Sequence, residues 1–361
     1  MNELEKSRVE IDEIDREMAR LFERRMNVCA DIAKYKKEHA LPIFDSAREQ
    51  KILSRHASLV ENSIYREYYM EFVNNVMGLA KKYQSRLNDG MRVAYSGAEG
   101  AFGYLAAKKV FPKSILTAFS DFADAYRAVE NGDFDCAVLP FENSYAGDVG
   151  MVMDLMFTGS LYVNGIVELD VVQNLVALPG ASLDKIRTVV SHPQALEQCE
   201  DFIKSRGLEV VTYSNTALAA KYVQELGDET VAAIASEDAA NSCGLQVIER
   251  GINTGRSNTT RFAVFSRAQH TPSATLVSEK EHFILMFTVK NEAGSLAQTL
   301  NIIGAHNFNM RSLRSRPMKD LLWNYYFYIE AEGNIGSRDG QDMLRELSAI
   351  CAHLKLVGTY N

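Results

Sequence analysis

One uninterrupted helix-forming stretch at the start of the chain limits the possible folds more than any other feature. From Leu4 to Glu38 there is no proline or glycine, and apolar residues recur in a heptad pattern. These residues are Ile11, Ile14, Met18, Leu21, Val28, Ile32 and Tyr35. A helix of this length spans about 50 Å, so it needs an apolar partner surface along its whole length.

Three cations lie on or beside this apolar stripe. Arg25 takes a position where the heptad pattern expects an apolar residue, which is costly unless an anion meets it. Lys36 follows close enough to share with Arg25 a ligand roughly 16 Å long or less. Arg8 lies about 42 Å from Lys36 along the axis, so it reaches that ligand only from a second, antiparallel copy of the helix. The alternative is that these are surface charges on a helical hairpin or a coiled-coil dimerisation module.

Two further helices are predicted before residue 90. Asp45 is placed to cap the second, with Arg48 and Glu49 in its first turn. The third runs from about residue 64 to 86 and carries Gln84 near its end.

The cations, Asp45, Glu49 and Gln84 in this order resemble the all-helical chorismate mutases, which rearrange chorismate to prephenate without a cofactor. The resemblance implies that Arg25, with Arg8 from a partner chain, binds the two carboxylates of the substrate. It implies that Lys36 and Gln84 form hydrogen bonds to the ether oxygen, where negative charge develops. It also implies that the hydroxyl side of the substrate and the pocket wall are positioned by Asp45, Arg48 and Glu49. Many members carry a serine where this chain has Ala80.

Residues 91–268 alternate between strand and helix patterns, which predicts parallel α/β layers. Two such sets, joined by one long extended stretch at residues 161–178, indicate two lobes and a cleft. Ligands of open α/β sheets bind beyond the carboxyl ends of the strands. Polar segments follow such strands at "PFENS" (140–144) and "SHPQ" (191–194), and "NTTRF" (258–262) opens the returning strand.

These three segments, in this order and spacing, resemble prephenate dehydratases, and the resemblance implies a two-lobed α/β fold like that of periplasmic binding proteins. Those enzymes remove the carboxylate and the ring hydroxyl of prephenate to give phenylpyruvate. The resemblance implies Thr260 as the principal donor, with Glu142 and His192 tuning protonation. It assigns substrate binding to Asn143, Ser144, Ser191 and Arg261, the last of which also fixes the strand with Phe262. Relatives often have a hydroxyl residue where this chain has Gly103.

Residues 281–361 predict the order βαββαβ, a ferredoxin-like α+β unit. This segment resembles an ACT domain, a regulatory module that in such dehydratases binds phenylalanine between paired subunits. The resemblance places the effector at Gly294, Ser295, Leu296, Arg314, Ser315, Arg316 and Pro317. The family usually has glutamate where Arg314 stands, and exchanging an anion for a cation should alter recognition of an ammonium group.

Composition excludes several other classes of protein. A net charge of -8 without a basic tract argues against nucleic-acid binding. No stretch approaches the roughly 18 apolar residues of a membrane span, and the charged N-terminus lacks a secretory signal, so we expect a cytoplasmic protein. The five scattered cysteines predict neither disulfides nor a metal site, and we expect no metal and no cofactor.

The leading hypothesis is a fused chorismate mutase (residues 1–89) and prephenate dehydratase (91–268) with a C-terminal ACT domain (281–361). It predicts chorismate and prephenate as substrates, phenylalanine as a possible effector, and a homodimer or tetramer. Two alternatives stay open. The lobes could form a non-enzymatic sensor of small anions, because a fold does not imply a function; or the chain could decarboxylate prephenate without dehydrating it.

Overall fold

The structure, a computed structural model, describes residues 2–39, 41–43, 48, 51–52, 55–56, 58–255, 258–269, 281–319 and 324–361. The chain divides into two compact units, Met1–Met91 and Arg92–Asn361. The first unit is helical, and the second contains two sheets.

Two long helices form the first unit: α1 (Glu3–Glu38) and α2 (Arg66–Asp89), the latter preceded by a 3₁₀ turn at Ser63–Tyr65. Asn2 caps α1, since its Oδ1 accepts from the Glu5 N–H at 2.8 Å. The predicted ends of both helices are confirmed to within a few residues. Arg48 is helical, as are residues 51–52 and 55–56, whereas Asp45 and Glu49 lie outside the described residues.

Most of the apolar stripe of α1 is exposed within its own unit. Cys29 and Ala33 are the buried residues of this helix. Ile11, Ile14 and Leu21, by contrast, keep 56%, 50% and 63% of their surface exposed. Such a continuous apolar face calls for a further surface to cover it.

The first lobe of the second unit is built on parallel strands. Its elements are β1 (Arg92–Ser96), α3 (Phe102–Val110), β2 (Ile115–Phe119), α4 (Phe122–Glu130), β3 (Cys136–Asn143), β4 (Gly147–Asp148), α5 (Gly150–Thr158) and β5 (Tyr162–Asp170), completed by β11 (Thr259–Ser266). Strands β2, β1 and β3 are parallel, and β11 is inserted antiparallel between β3 and β5. This insertion brings the chain back beside the carboxyl end of β3.

The second lobe has its own five-stranded sheet in the order β10-β6-β9-β7-β8. Its elements are β6 (Asn174–Ala177), β7 (Thr188–Ser191), α6 (Pro193–Gln198), α7 (Glu200–Arg206), β8 (Glu209–Thr212), α8 (Thr216–Leu226), β9 (Val231–Ala235), α9 (Glu237–Ser242) and β10 (Gln246–Glu249). A 3₁₀ turn at Leu183–Lys185 precedes β7.

Two predicted elements of the lobes are wrong in detail. The extended stretch at 161–178 is not one strand, because the Gln173 N–H donates to Asn253 Oδ1 at 2.8 Å instead of to a sheet partner. The chain therefore leaves the first sheet at Asp170 and enters the second at Asn174. The helix predicted over 193–206 is interrupted at Cys199, whose backbone is not helical.

The C-terminal part has the predicted order βαββαβ: β12 (His282–Thr288), α10 (Ser295–Ala305), β13 (Asn309–Pro317), β14 (Tyr325–Glu332), α11 (Arg338–Ile350) and β15 (His353–Tyr360). Its four strands are antiparallel in the order β13-β14-β12-β15. This is the ferredoxin-like strand order.

The C-terminal sheet continues directly into the sheet of the first lobe. β15 pairs in parallel with β5, where Gly358 faces Val163. A Cβ atom on Gly358 would lie 1.8 Å from the Val163 carbonyl oxygen, so this approach requires glycine. One apolar core spans the junction, and it includes Phe141 and Phe265 of the lobe with Tyr328 of the C-terminal part.

The described residues contain neither a membrane-spanning helix nor a cluster of metal ligands. No helix there is long and apolar enough to cross a membrane. Neither do three or more His, Cys, Asp or Glu side chains in the described ranges come together where they could hold a metal ion. All five cysteines are free, and burial raises the pKa of Cys199 to about 12, which keeps this thiol protonated and unreactive.

Candidate active sites

Three of the four cations predicted for the helical unit line one cavity of about 600 Å³ on α1 and α2. Arg25 and Lys36 of α1 line it together with Arg48 and, from α2, Gln84. Positions 25 and 36 share a helix face because eleven residues are close to three turns. Arg24 and Lys81 also line it, so the arrangement gives a small pocket with five positive side chains and an amide.

Individual contacts show what each of these groups can still bind. The Lys36 ammonium donates to the Ile43 carbonyl oxygen at 2.6 Å, and Arg25 donates to the Val76 carbonyl oxygen at 3.4 Å. Gln84 is 7% exposed, and its Oε1 has no hydrogen-bond partner among the described residues. A buried polar atom without a partner costs about 1–3 kcal/mol, so a bound ligand that completes its hydrogen bonding would be stabilised.

Two other residues discussed for this site differ in whether they line the cavity. Ala80 lines the cavity, so the methyl group stands where many relatives have a hydroxyl. Arg8 is exposed on α1 and does not line the cavity. Beside the cavity lies a larger apolar groove of about 1350 Å³ between α1 and α2, which shares Leu21 and Arg25 with it.

In the second unit, Thr260 and Asn143 form a buried pair at adjacent strand ends. They face each other across the β3–β11 ladder, and Asn143 Nδ2 donates to Thr260 Oγ1 at 2.9 Å. The orientation of the amide is fixed because Asn143 Oδ1 accepts from the N–H groups of Tyr145 and Ala146 at 3.0 and 2.8 Å. Thr260 Oγ1 therefore acts as an acceptor toward the protein, and its own hydrogen is left for a ligand.

A second set of bonds ties the β3–β4 turn to the start of β11. The Ser144 N–H donates to the Thr259 carbonyl oxygen at 2.9 Å, and the Thr259 N–H donates to Ser144 Oγ at 3.0 Å. On the other side, Thr259 Oγ1 donates to Asp170 Oδ1 at 2.9 Å. Ser144 is thus placed beside Thr260 through backbone pairing.

Asn258 belongs to this cluster although the sequence reasoning did not select it. Its Oδ1 accepts from Asn143 Nδ2 at 2.8 Å. Its Nδ2 is buried and has no partner among the residues that the structure describes. The sequence did point to Asn258, because it is the first residue of the "NTTRF" segment.

Glu142 and Arg261 lie on the opposite face of the same two strands, because side chains alternate along a strand. Arg261 Nη1 donates to Glu142 at 2.9 Å. The same guanidinium forms a bidentate pair with Glu330 of β14, at 2.9 and 2.8 Å. Both residues therefore point toward the C-terminal sheet rather than toward Thr260.

This ion cluster is buried and strongly polarised. Burial alone would raise the pKa of Glu330, but the hydrogen bonds from Arg261 and Tyr360 bring it below its ordinary value. Burial would lower the pKa of Arg261, and the bonds with Glu330 and Glu142 raise it. The carboxylate and the guanidinium accordingly stay charged over the whole physiological range.

Ser191 and His192 lie on the second lobe, at the end of β7. Ser191 Oγ donates to the Ile234 carbonyl oxygen at 2.7 Å and is fully buried. His192 caps α6, with Nδ1 accepting from the Gln194 N–H at 3.3 Å, and burial lowers the pKa of its imidazole. In the described ranges no hydrogen bond joins either residue to the Thr260 cluster. A cavity of about 390 Å³ separates the lobes at Asp170, Asn174 and Ser236.

Gly103 lies close against the backbone of Ser96. A Cβ atom on it would lie 2.3 Å from the Ser96 carbonyl oxygen, in the connection between β1 and α3. Gly103→Ser is therefore expected to lower the free energy of unfolding by about 1–3 kcal/mol, because the backbone must shift. Denaturant unfolding measures this.

Gly304→Ser is the matched control for that substitution, since Gly304 also lies in a helix and its Cβ position is open. We expect a change below about 0.5 kcal/mol there. Equal losses in the two variants would contradict the close approach at Gly103.

The residues predicted to bind an effector lie in the C-terminal part at two places. Gly294, Ser295 and Leu296 form the start of α10. Arg314, Ser315, Arg316 and Pro317 end β13, where Arg314 and Arg316 share one face. Arg314 donates to Glu142 and Asp148, and Arg316 donates to Asp154 of α5 at 3.3 Å.

Comparisons with known proteins cover both units. Residues 7–85 match the family "chorismate mutase type II", and residues 93–270 match the family "prephenate dehydratase". The bifunctional chorismate mutase/prephenate dehydratase of Escherichia coli K12 is 30% identical over 98% of this chain and 95% of its own length. The two families occur in this relative in one chain, as they do here.

Two solved structures each match 74% of this chain. A prephenate dehydratase from Arthrobacter aurescens, determined with L-Phe, is 25% identical with a TM-score of 0.68, and the match covers 74% of this chain and 89% of that one. A protein described as a novel type of quorum-quenching acylase matches with 29% identity and a TM-score of 0.68, over 74% of this chain and 97% of that one. The predicted fusion is confirmed by the match over the whole length: the chain belongs to the bifunctional chorismate mutase/prephenate dehydratase family, and it converts chorismate to prephenate and prephenate to phenylpyruvate.

Proposed function

We propose that chorismate is rearranged in the cavity on α1 and α2, with Lys36 and Gln84 at its ether oxygen. The reaction breaks the ether C–O bond while a C–C bond forms in the same molecule, and negative charge builds up on the ether oxygen. A cation at that oxygen stabilises the transition state more than the ground state. The Lys36 ammonium has three hydrogens, of which one is donated to Ile43, so two stay available for the substrate.

The main support for this proposal is the buried amide of Gln84. Its Oε1 has no hydrogen-bond partner in the described part of the chain. A half-turn about the last side-chain torsion exchanges the oxygen and the NH₂ group. The amide then donates to the ether oxygen beside Lys36. Arg25 binds one carboxylate, and Arg48 lines the same pocket. The roles of Asp45 and Glu49 follow from the resemblance alone.

The second substrate carboxylate is bound by Arg8 of a second copy of the chain. Within its own unit α1 leaves its apolar stripe exposed, and an apolar groove of about 1350 Å³ lies beside the cavity. An antiparallel partner helix in this groove brings its Arg8 toward Arg25 and covers residues such as Ile14. The proposed active unit is therefore a homodimer.

Complementation tests the shared site. Arg8→Ala and Lys36→Ala should each abolish most mutase activity, but a mixture that exchanges subunits should regain about a quarter of the wild-type activity. The reason is that each mixed dimer rebuilds one intact site from Lys36 of one chain and Arg8 of the other. A mixture that stays as inactive as its components, with mixed dimers shown by two affinity tags, would contradict the dimer.

Prephenate is dehydrated at Thr260, we propose, with its hydroxyl donating to the ring hydroxyl that leaves. The bond to the carboxylate breaks, carbon dioxide departs, the electron pair enters the ring, and hydroxide leaves as water once it is protonated. The bond from Asn143 to Thr260 Oγ1 supports this role, since it leaves the Thr260 hydrogen free. Such acid assistance is typically worth about 10²- to 10⁴-fold.

The other residues of the dehydratase site support Thr260 from three directions. Ser144 and Asn258 lie beside it and supply polar contacts to the substrate. Ser191 and the neutral His192 face it from the second lobe when the lobes close on prephenate. Glu142 and Arg261 act from the opposite face by fixing the strand ends.

The C-terminal part is proposed to be an ACT domain that binds an amino-acid effector. Its ferredoxin-like strand order and the L-Phe bound to the Arthrobacter relative support this assignment. The proposed contacts are the start of α10 at Gly294–Leu296 and the end of β13 at Ser315–Pro317.

One assay with purified protein tests both sites together. After chorismate is added, chorismate loss, prephenate and phenylpyruvate are recorded separately. Wild type should produce prephenate and then phenylpyruvate, and it should also convert added prephenate. If neither substrate is consumed, the assigned sites fail together.

A further inference from the structure

The carboxylate of Glu142 is held by two arginines that come from different parts of the chain. Arg261 of β11 donates to one oxygen at 2.9 Å, and Arg314 of β13 donates to the other. Arg314 is only 17% exposed and lies over the ring of Tyr328, 5.5 Å from its centroid. Its guanidinium is therefore held in place by packing as well as by charge.

Arg314 also joins the two strands of the β3–β4 hairpin. Its second nitrogen donates to Asp148, and Asp148 faces Glu142 across this hairpin. Two carboxylates directly opposite each other repel. The guanidinium neutralises both at once, so the hairpin depends on a cation that the C-terminal part supplies.

The turn of this hairpin fixes the proposed catalytic hydroxyl. Asn143 accepts from the backbone of residues 145 and 146 within the turn and donates to Thr260. A hairpin that opens by a fraction of an ångström would move Asn143 and with it the Thr260 hydroxyl. Displacements of about 1 Å at a catalytic group can cost about 10²-fold in rate.

We propose that Arg314 is a positioning residue for the dehydration of prephenate, acting through Glu142 and Asp148 on the Asn143–Thr260 pair. This inference rests on the proposed role of Thr260. It assigns Arg314 to the dehydratase site instead of to an effector, because its guanidinium already binds two carboxylates. The C-terminal sheet thus supplies part of the framework of the dehydratase site.

The experiment compares Arg314→Ala, Arg314→Lys and Arg314→Glu with wild type, using prephenate as substrate for the dehydratase and chorismate for the mutase. Arg314→Ala should lower kcat for dehydration by about 10- to 100-fold with KM changed less than about threefold. Arg314→Lys should lose less, because it keeps the charge but cannot bridge two carboxylates in the same way. Arg314→Glu should lose most, since it adds a third carboxylate. Mutase activity of the same samples should stay unchanged.

Two further variants separate positioning from a general loss of structure. Arg311→Ala is the matched control: Arg311 lies on the same strand but pairs with His282 and Glu332 inside the C-terminal part. It should leave kcat unchanged. Asp148→Asn removes one of the opposed charges, so adding it to Arg314→Ala should restore part of kcat.

The possible results are distinct. A kcat of Arg314→Ala within about twofold of wild type overturns the inference. The inference is also overturned if kcat falls, the added Asp148→Asn substitution does not restore it, and the melting temperature is lowered as well. If wild type fails to convert prephenate at all, or Thr260→Val keeps full activity, the proposed role of Thr260 fails, and this inference, which rests on it, fails with it.

Discussion

Lys36→Ala should lower kcat for the conversion of chorismate to prephenate by about 10²- to 10³-fold, the usual loss when a preorganised donor to a developing negative charge is removed. The charge on the ether oxygen exists only as the bond breaks, so kcat should fall more than KM rises. Rates are measured by chorismate loss. Conversion of added prephenate by the same variant should be unchanged.

Lys37→Ala is the matched control for this substitution. Lys37 neighbours Lys36 on the helix, yet its ammonium donates to the Asn88 carbonyl oxygen at 2.7 Å and does not line the cavity. It should keep nearly wild-type rates. If both variants lose activity equally, a general effect of charge at the end of α1 explains the result, and the assignment of Lys36 falls. A rise in KM alone would make Lys36 a binding group.

The common face of the cations on α1 could be predicted because its geometry is local. On one helix, the spacing of Arg25 and Lys36 already fixes their common face, and no long-range pairing is needed. Gln84 arrives from another helix, and its place in the cavity needed the resemblance. The sequence could not reveal that its oxygen has no partner within the described part of the helical unit, because that depends on the packing of α1 against α2.

The dehydratase site was predicted less completely because it depends on strand pairing. Adjacent residues in "PFENS" and "NTTRF" point to opposite faces, and only the register of β3 against β11 decides which face carries Asn143 and Thr260. One of the two carboxylates bound by Arg261 belongs to Glu330, 69 positions further along the chain. No local pattern identifies such a contact. The break of the 161–178 stretch likewise depends on the distant Asn253.

Arg314 shows that a residue which departs from a family pattern can have its partners far away in the sequence. In the sequence it stands inside a segment that resembles an effector motif, and it weakens that motif. In the structure the edge strand β13 lies next to β14, and its alternate residues reach the β3–β4 hairpin and α5. The cation is thus explained by acidic residues about 170 positions earlier, Glu142 and Asp148.

Thr260→Val should lower kcat for prephenate dehydration by about 10²- to 10⁴-fold, because the hydroxyl that assists the leaving group is removed. Valine keeps the branched shape and the strand preference of threonine, and Asn143 keeps Asn258 as an acceptor. Fed with chorismate, this variant should therefore accumulate prephenate.

Thr259→Val and Thr260→Ser make the test of Thr260 specific. Thr259 carries the neighbouring hydroxyl, which donates to Asp170, so its loss should change dehydration by less than about tenfold. Thr260→Ser restores the hydroxyl without the methyl group and should recover most of the rate. A serine variant as slow as the valine variant would mean that position 260 matters for packing. Unimpaired dehydration by Thr260→Val would move the proton donor to another residue, and His192 of the second lobe would then be the next candidate to test.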